Sequence, residues 1–153
     1  MAGKFEITNI NKEEITTLND AFAVKAVSED NSEIRYTTTF DEDMLFNAIR
    51  GKSEPVSDYI GETVTVTDIV VSASDMAVDV NNPDGEKENH PIIHFFLDDG
   101  RHLSTASNGI RRNVKALFEI GKVPTPETPI TITFDEVNTK RGKAHTFSLV
   151  KKA

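Results

Sequence analysis

The most regular pattern in the chain runs from Glu62 to Ser72. β-Branched and polar residues alternate there, Val64 and Val66 share one side, and the segment reads as a strand. After Asp68 the alternation gives way to Ile69, Val70 and Val71 in succession. That change of phase marks either a bulge or a strand end buried on both faces. Ser74 to Pro91 is polar and acidic. Asp75, Asp79, Asp84, Glu86 and Glu88 stand against Lys87 alone, around Asn81-Asn82-Pro83-Asp84-Gly85, which predicts a long loop with a tight turn. Ile92–Leu97 and Arg101–Ala106 are two further strands. Asp98-Asp99-Gly100 joins them, and its Asp-Gly pair suits the φ > 0 positions of a type I′ hairpin turn.

A helical period follows. Ser107, Asn108 and Gly109 are N-cap candidates, and Ile110, Val114, Leu117 and Phe118 form one apolar stripe before Gly121 and Pro124 stop the helix. Past Pro126 and Pro129, Ile130–Asp135 alternates as a strand. Asn138–Gly142 is a basic turn, and Lys143–Val150 is the last strand. Five strands with one helix between the third and fourth predict a mainly β protein, a five-stranded OB-fold barrel over residues 61–153. Before it, Lys4–Ile10 is a candidate strand, Lys12–Asn19 a short helix, and Phe22–Val27 and Ile34–Phe40 further strands. Asp41 is a plausible N-cap for a helix to Arg50, with Glu42 and Asp43 near its positive end and Met44, Leu45, Ala48 and Ile49 as its apolar face. No repeat or flexible linker separates these parts. Residues 1–60 are therefore expected to form an N-terminal α/β extension packed on the barrel, within one domain spanning 1–153.

Composition narrows the function classes. No apolar run approaches a membrane span, and Met1 to Glu6 lacks the apolar core of a secretory signal. There is no cysteine, which excludes disulfides, thiolate metal sites and cysteine nucleophiles and fits a reducing cytoplasm. The formal net charge of −8 argues against a phosphate-rich partner only if the charges are evenly spread.

They are not evenly spread. OB barrels take single strands across the face of strands 2 and 3, between the 1–2 and 4–5 loops, using aromatic rings for bases and cations for phosphates. Phe95 and Phe96 are adjacent, so they point to opposite faces. Ile93, Phe95 and Leu97 make the better apolar set, which puts Phe96 outward with His94; the alternative is that both rings are buried. A two-residue turn at Asp99-Gly100 would set Leu103 beside Phe96 and Ser104 beside Phe95, and a bulge or longer turn would change that pairing. Lys140, Arg141 and Lys143 crowd the tip of the last hairpin. Arg111, Arg112 and Lys115 share the exposed side of the helix, and Arg101 and His102 follow the strand 2–3 turn. His145 has the parity of Phe147 and Leu149, at the barrel mouth, and Tyr59 is a further stacking candidate. The plainer readings are a solvated turn, a solvated helix face and packed rings. The acidic stretch from Asp75 to Glu88 would repel phosphate and is expected to lie away from the site or to tune its affinity.

Catalytic patterns are weaker. Asp98-Asp99 belongs to a turn and Asp135-Glu136 adjoins one, and His90 and His94 are four apart on a strand rather than on one helix face. Asp79-x-Asn81 has no glycine in register and no closing Glu for a calcium loop. Neither a phosphate loop nor a nucleophile elbow is present. The expectation is a protein without enzymatic activity, metal or cofactor.

The wording from Ile60-Gly61 through Val71, then Phe95-Phe96-Leu97-Asp98-Asp99-Gly100, then Ser104 to Arg111 and the Pro-rich approach to the fourth strand, resembles the single-stranded DNA-binding proteins of tailed bacteriophages infecting Gram-positive bacteria. The resemblance covers roughly residues 60–150. It implies sequence-tolerant coating of displaced single-stranded DNA during phage replication or recombination, in the host cytoplasm. Replication proteins are implied as partners, and a homo-oligomer is compatible with it. The chain ends Val150-Lys151-Lys152-Ala153 and lacks the acidic C-terminal tail with which bacterial relatives recruit partners. A second class remains open: a protein-interaction module, including a DNA mimic, whose acidity would suit a basic host protein.

Overall fold

The computed structural model describes residues 18–26, 33–140 and 142–150. The strand expected at Lys4–Ile10 and most of the helix expected at Lys12–Asn19 lie outside them, as does Arg141. The fold is mainly β, built as one curled half-barrel sheet.

Its backbone is a long antiparallel ribbon of β4 (Thr63–Ala77) and β5 (Lys87–Leu97). Half of the acidic stretch is therefore strand, and residues 78–86 form the connection. The expected loop over Ser74–Pro91 is corrected: its outer ends are paired from Ser74↔His90 to Ala77↔Lys87, with Ser74, Asp75 and Met76 exposed and Asn89 and His90 buried. The register shifts between Val66 and Asp68. This bulge exchanges the faces of the strand, so Val64 and Val66 before it and Ile69 and Val71 after it enter the same core. Asp68, Val70 and Ser72 turn to the opposite face and are buried there too. Both readings of the phase change thus hold together.

The ribbon takes different partners along its length. β4 pairs first with β7 (Ile130–Thr139) and further on with β2 (Ile34–Thr37). β5 pairs with β6 (His102–Thr105) at one end and with β1 (Lys25–Ala26) at the other. Pro91 falls between the stretches joined to β1 and β6, where its missing N–H costs least. β7 continues into β8 (Gly142–Leu149), and β3 (Glu54–Pro55) lies parallel to β6. The order β3-β6-β5-β4-β7-β8 is open: among the described residues no ladder joins β6 to β8.

A helix stands at that opening. α2 (Asn108–Glu119) is capped by Ser107, whose Oγ accepts from the Ile110 N–H at 3.3 Å. Its first turn lies against β8. A Cβ on Gly109 would collide with the His145 carbonyl oxygen, and Asn113 Nδ2 donates to Thr146 Oγ1 and, at 3.1 Å, to the Phe147 carbonyl. Ile110, Val114, Leu117 and Phe118 turn inward. The core holds Phe95, Phe134 and Phe147 edge to face, with centroids 5.5 to 6.4 Å apart.

The N-terminal part contributes to that core. Residues 18–22 are helical, so of the strand expected over Phe22–Val27 the described residues keep β1, Val27 lying outside them, and the strand over Ile34–Phe40 stops at Thr37. Leu18, Ala21, Phe22 and Tyr36 belong to the main cluster, with Phe22 and Tyr36 against Phe118 at 5.7 and 5.2 Å. α1 (Glu42–Ile49) begins where expected. The Asp41 carboxylate accepts from the Asp43 and Met44 N–H groups at 2.9 and 3.1 Å. Among the described residues no helix is long and apolar enough to cross a membrane.

Candidate nucleic-acid interface

The β5–β6 turn decides which phenyl ring faces outward. Leu97 N–H donates to the Arg101 carbonyl at 2.9 Å and Gly100 N–H to the Leu97 carbonyl at 3.0 Å, so residues 98–100 form the loop. Gly100 has φ 90°, while among the described residues none other than glycine has positive φ, which corrects the expected type I′ turn to a longer loop closed by one left-handed glycine. The register becomes Phe95↔Leu103 and Phe96↔His102. Phe95 is fully buried in the main core, and Phe96 takes the other face with His94.

That other face is not open. α1 lies over it, and Ala48, Val70 and Phe96 form a second apolar cluster with Ile34, Met44 and Leu45. Phe96 is only 5% exposed. The expectation of a solvent-facing Phe96 therefore fails in this conformation, because a helix 50 residues earlier in the chain covers it. The Phe96 and His102 rings stack at 4.4 Å with 17° between planes. His102 Nε2 shares a 2.8 Å hydrogen bond with His94 Nδ1, and His94 Nε2 shares one of 2.7 Å with Ser72 Oγ. Burial, and then the neighbouring His102, push the His94 pKa down to about 3. Burial lowers His102 as well. These imidazoles are neutral packing elements at neutral pH and supply no charge for a phosphate.

Tyr59 and Arg101 pair with each other. Tyr59 is buried at the end of a 3-10 turn (Val56–Tyr59), and the Arg101 guanidinium sits 5.2 Å from its ring centroid. Glu54 beside the hydroxyl raises the Tyr59 pKa. Arg101 also holds Asp99 at 2.7 Å. Neither offers a free stacking surface.

The cations of α2 and of the β7–β8 hairpin lie on two neighbouring elements. Gly109 abuts His145, so the first turns of α2 stand next to β8. Arg111, Arg112 and Lys115 line a cleft of about 360 Å³ with Asn19, Phe22 and Ala23. Arg111 Nη1 donates to the Phe22 carbonyl at 3.3 Å; burial and then the adjacent Arg112 charge lower its pKa. Arg112 and Lys115 form no ion pair among the described residues. On the hairpin, Lys140 is exposed, while Lys143 and His145 share Glu136 at 3.4 and 3.6 Å. Of the residues singled out in the sequence, Arg111 and Arg112 thus line one cleft, and Lys143 and His145 lie on β8, which the first turn of α2 abuts. Phe96, His94 and Tyr59 are buried elsewhere, and His102 is half-buried.

The exposed aromatic surface lies on residues the sequence pattern did not single out. Phe40 is 56% exposed and Phe46 63% exposed, at the start of α1 and on its outer side. Phe46 falls off the Met44–Leu45–Ala48 stripe, so its exposure was readable from the helical period. Among the described residues no group of three or more His, Asp or Glu could hold a metal ion. No protein-family model matches the chain, and no curated protein or solved structure is similar to it.

Proposed function

We propose that this protein is an OB-type, non-enzymatic binder of single-stranded DNA that coats displaced strands with little regard to sequence, in the setting of phage replication or recombination that its resemblance suggests. One observation supports it most. In a chain of net charge −8, Arg111, Arg112 and Lys115 line one cleft, and two of them lack an acidic partner among the described residues. Burial, and then the Arg112 charge, disfavour the charged form of Arg111, and Glu88 offsets that only in part, a cost that a phosphate backbone would relieve further. Lys140 and Lys143 lie on the β7–β8 hairpin, the position from which the 4–5 loop of an OB barrel flanks its ligand.

A second reading has its own support. Phe40 and Phe46 are exposed beside Asp41, Glu42 and Asp43, an acidic and aromatic surface suited to a basic protein partner. Fluorescent oligo-dT of about thirty nucleotides, titrated by anisotropy at several salt concentrations with duplex competitor, separates the two. Strand binding should weaken steeply with salt and resist duplex. Arg112→Ser with Lys115→Ser should flatten the log–log salt slope by about 1.4, or about 0.7 for each phosphate no longer neutralised. Absence of binding at low salt would exclude the DNA reading and leave the protein-interaction one.

A further inference from the structure

We propose that the cleft where β8 ends is an interface between two copies of this chain, joined about a two-fold axis. This interface is independent of the single-strand reading: Arg111 and Arg112 lie in the first half of α2, whereas this cleft takes in Lys122, past its last turn.

The cleft is an unfinished edge of the core. It holds about 760 Å³, and Pro129, Ile130, Leu149 and Val150 make it largely apolar. Leu149 has the parity of Phe147 and so points to the core side of the sheet, yet it is 42% exposed where Phe147 is buried. The cover of β8 also stops here. β8 ends the strand order, and along that edge α2 takes the carbonyls of His145 and Phe147 through Ser107 and Asn113. Val150 N–H donates to the Thr131 carbonyl at 2.9 Å, so by alternation the backbone groups of Leu149 turn outward, and among the described residues no side chain takes them. An open strand edge beside apolar surface is a template for another chain.

The charges on the cleft identify that chain. Lys122 and Glu127 are exposed and stand on well-tied turns. Lys122 N–H donates to the Leu117 carbonyl at 2.8 Å, past the left-handed Gly121 that ends α2. Glu127 sits in a turn clamped by Thr125 and Thr128, whose backbones exchange bonds of 3.2 and 3.1 Å and whose hydroxyls lie 2.6 Å apart. Neither charge is in an ion pair among the described residues. One cation and one anion beside an apolar cleft suit neither a basic nor an acidic partner. They suit the same surface turned over. A two-fold axis sets Lys122 of each copy against Glu127 of the other and closes both Leu149 side chains from water. The apolar contact supplies the attraction, and the reciprocal pairs supply the register.

Sedimentation velocity of the full chain, from low to high micromolar concentration, should show a reversible monomer–dimer equilibrium. Leu149→Lys puts a charge into the apolar contact and should abolish the dimer. Lys122→Glu turns both reciprocal pairs into repulsions and should weaken dimerisation by about tenfold or more, as should Glu127→Lys. An equal mixture of these two single variants should regain the dimer, because in the mixed pair every Glu meets a Lys. The double variant Lys122→Glu with Glu127→Lys should regain it as well. All three positions are exposed, and circular dichroism of each variant should match the original chain. A chain that stays monomeric throughout the range overturns the proposal. A dimer left intact by Leu149→Lys and by the single charge reversals overturns it too, since the interface then lies elsewhere. A mixture no stronger than its two components removes the reciprocal pairing on which the two-fold arrangement rests.

Discussion

His94 should make the fold sensitive to mild acid, and His94→Asn should remove much of that sensitivity. The ring is 5% exposed, with both nitrogens engaged, one by Ser72 at 2.7 Å and one by His102 at 2.8 Å. Burial makes a charged ring costly there, and the neighbouring His102 imidazole adds to that cost, which is why its pKa falls to about 3. In the unfolded chain it titrates near the ordinary histidine value of about 6.5. Between these values the unfolded state holds a proton that the folded state refuses. Stability is therefore fully present above about pH 6.5 and declines as pH falls toward about 3. At pH 5 the gap from the unfolded pKa is about 1.5 units, so His94 alone should remove about 2 kcal/mol relative to pH 8. That is a large share of a typical stability of roughly 5–15 kcal/mol. Urea denaturation at pH 8 and pH 5, for the original protein and for His94→Asn, isolates the effect, because carboxylate contributions are common to both. Asn retains a donor and an acceptor but does not titrate. Parallel losses in the two proteins would refute the reasoning, whatever the absolute stability of the variant.

Other substitutions test the packing. Gly109→Ala should lower stability by about 1–3 kcal/mol, because the new Cβ would meet the His145 carbonyl, whereas helix propensity alone predicts a gain of up to about 1 kcal/mol; the sign of the shift in urea midpoint decides. Ser107→Ala should cost about 1 kcal/mol through the missing cap, read from the thermal midpoint, and a neutral result would show that the 3.3 Å bond contributes nothing. Phe118→Ala removes the ring on which Phe22 and Tyr36 pack and should cost about 3–5 kcal/mol. If residues 18–37 were dispensable to the core, the loss would fall at the low end and β1 and β2 amides would exchange no faster.

Much of the sheet was readable because burial imposes alternation. The bulge after Asp68 is visible as a change of phase, since a one-residue insertion is the only way to keep Val64, Val66, Ile69 and Val71 on one side. The α2 stripe and both helix caps were equally plain. The outer ends of β4 and β5 were not, because Ser74–Ala77 and Lys87–Asn89 pair through backbone groups while their side chains are mostly polar, and the hydrogen-bond ladder leaves no trace in hydropathy. The candidate site divided along the same line. Charged residues in a turn or on a polar helix face announce themselves locally, whereas the covering of Phe96 depends on where α1 lands, a contact between distant segments that no local pattern encodes.

The divided partnership of the β4–β5 ribbon has a consequence for how the chain must assemble. Lys25 pairs with Asn89 and Ile34 with Ser72, so neither early strand has a neighbour until the ribbon exists. The ribbon itself closes through residues near in sequence, from Ala77↔Lys87 outward. On a growing chain, the segment that holds β1 and β2 thus cannot pair when it is made. Until residue 97 has been added it waits as unpaired strand, which makes the interval of synthesis, rather than the finished fold, the period in which this protein is most open to aggregation.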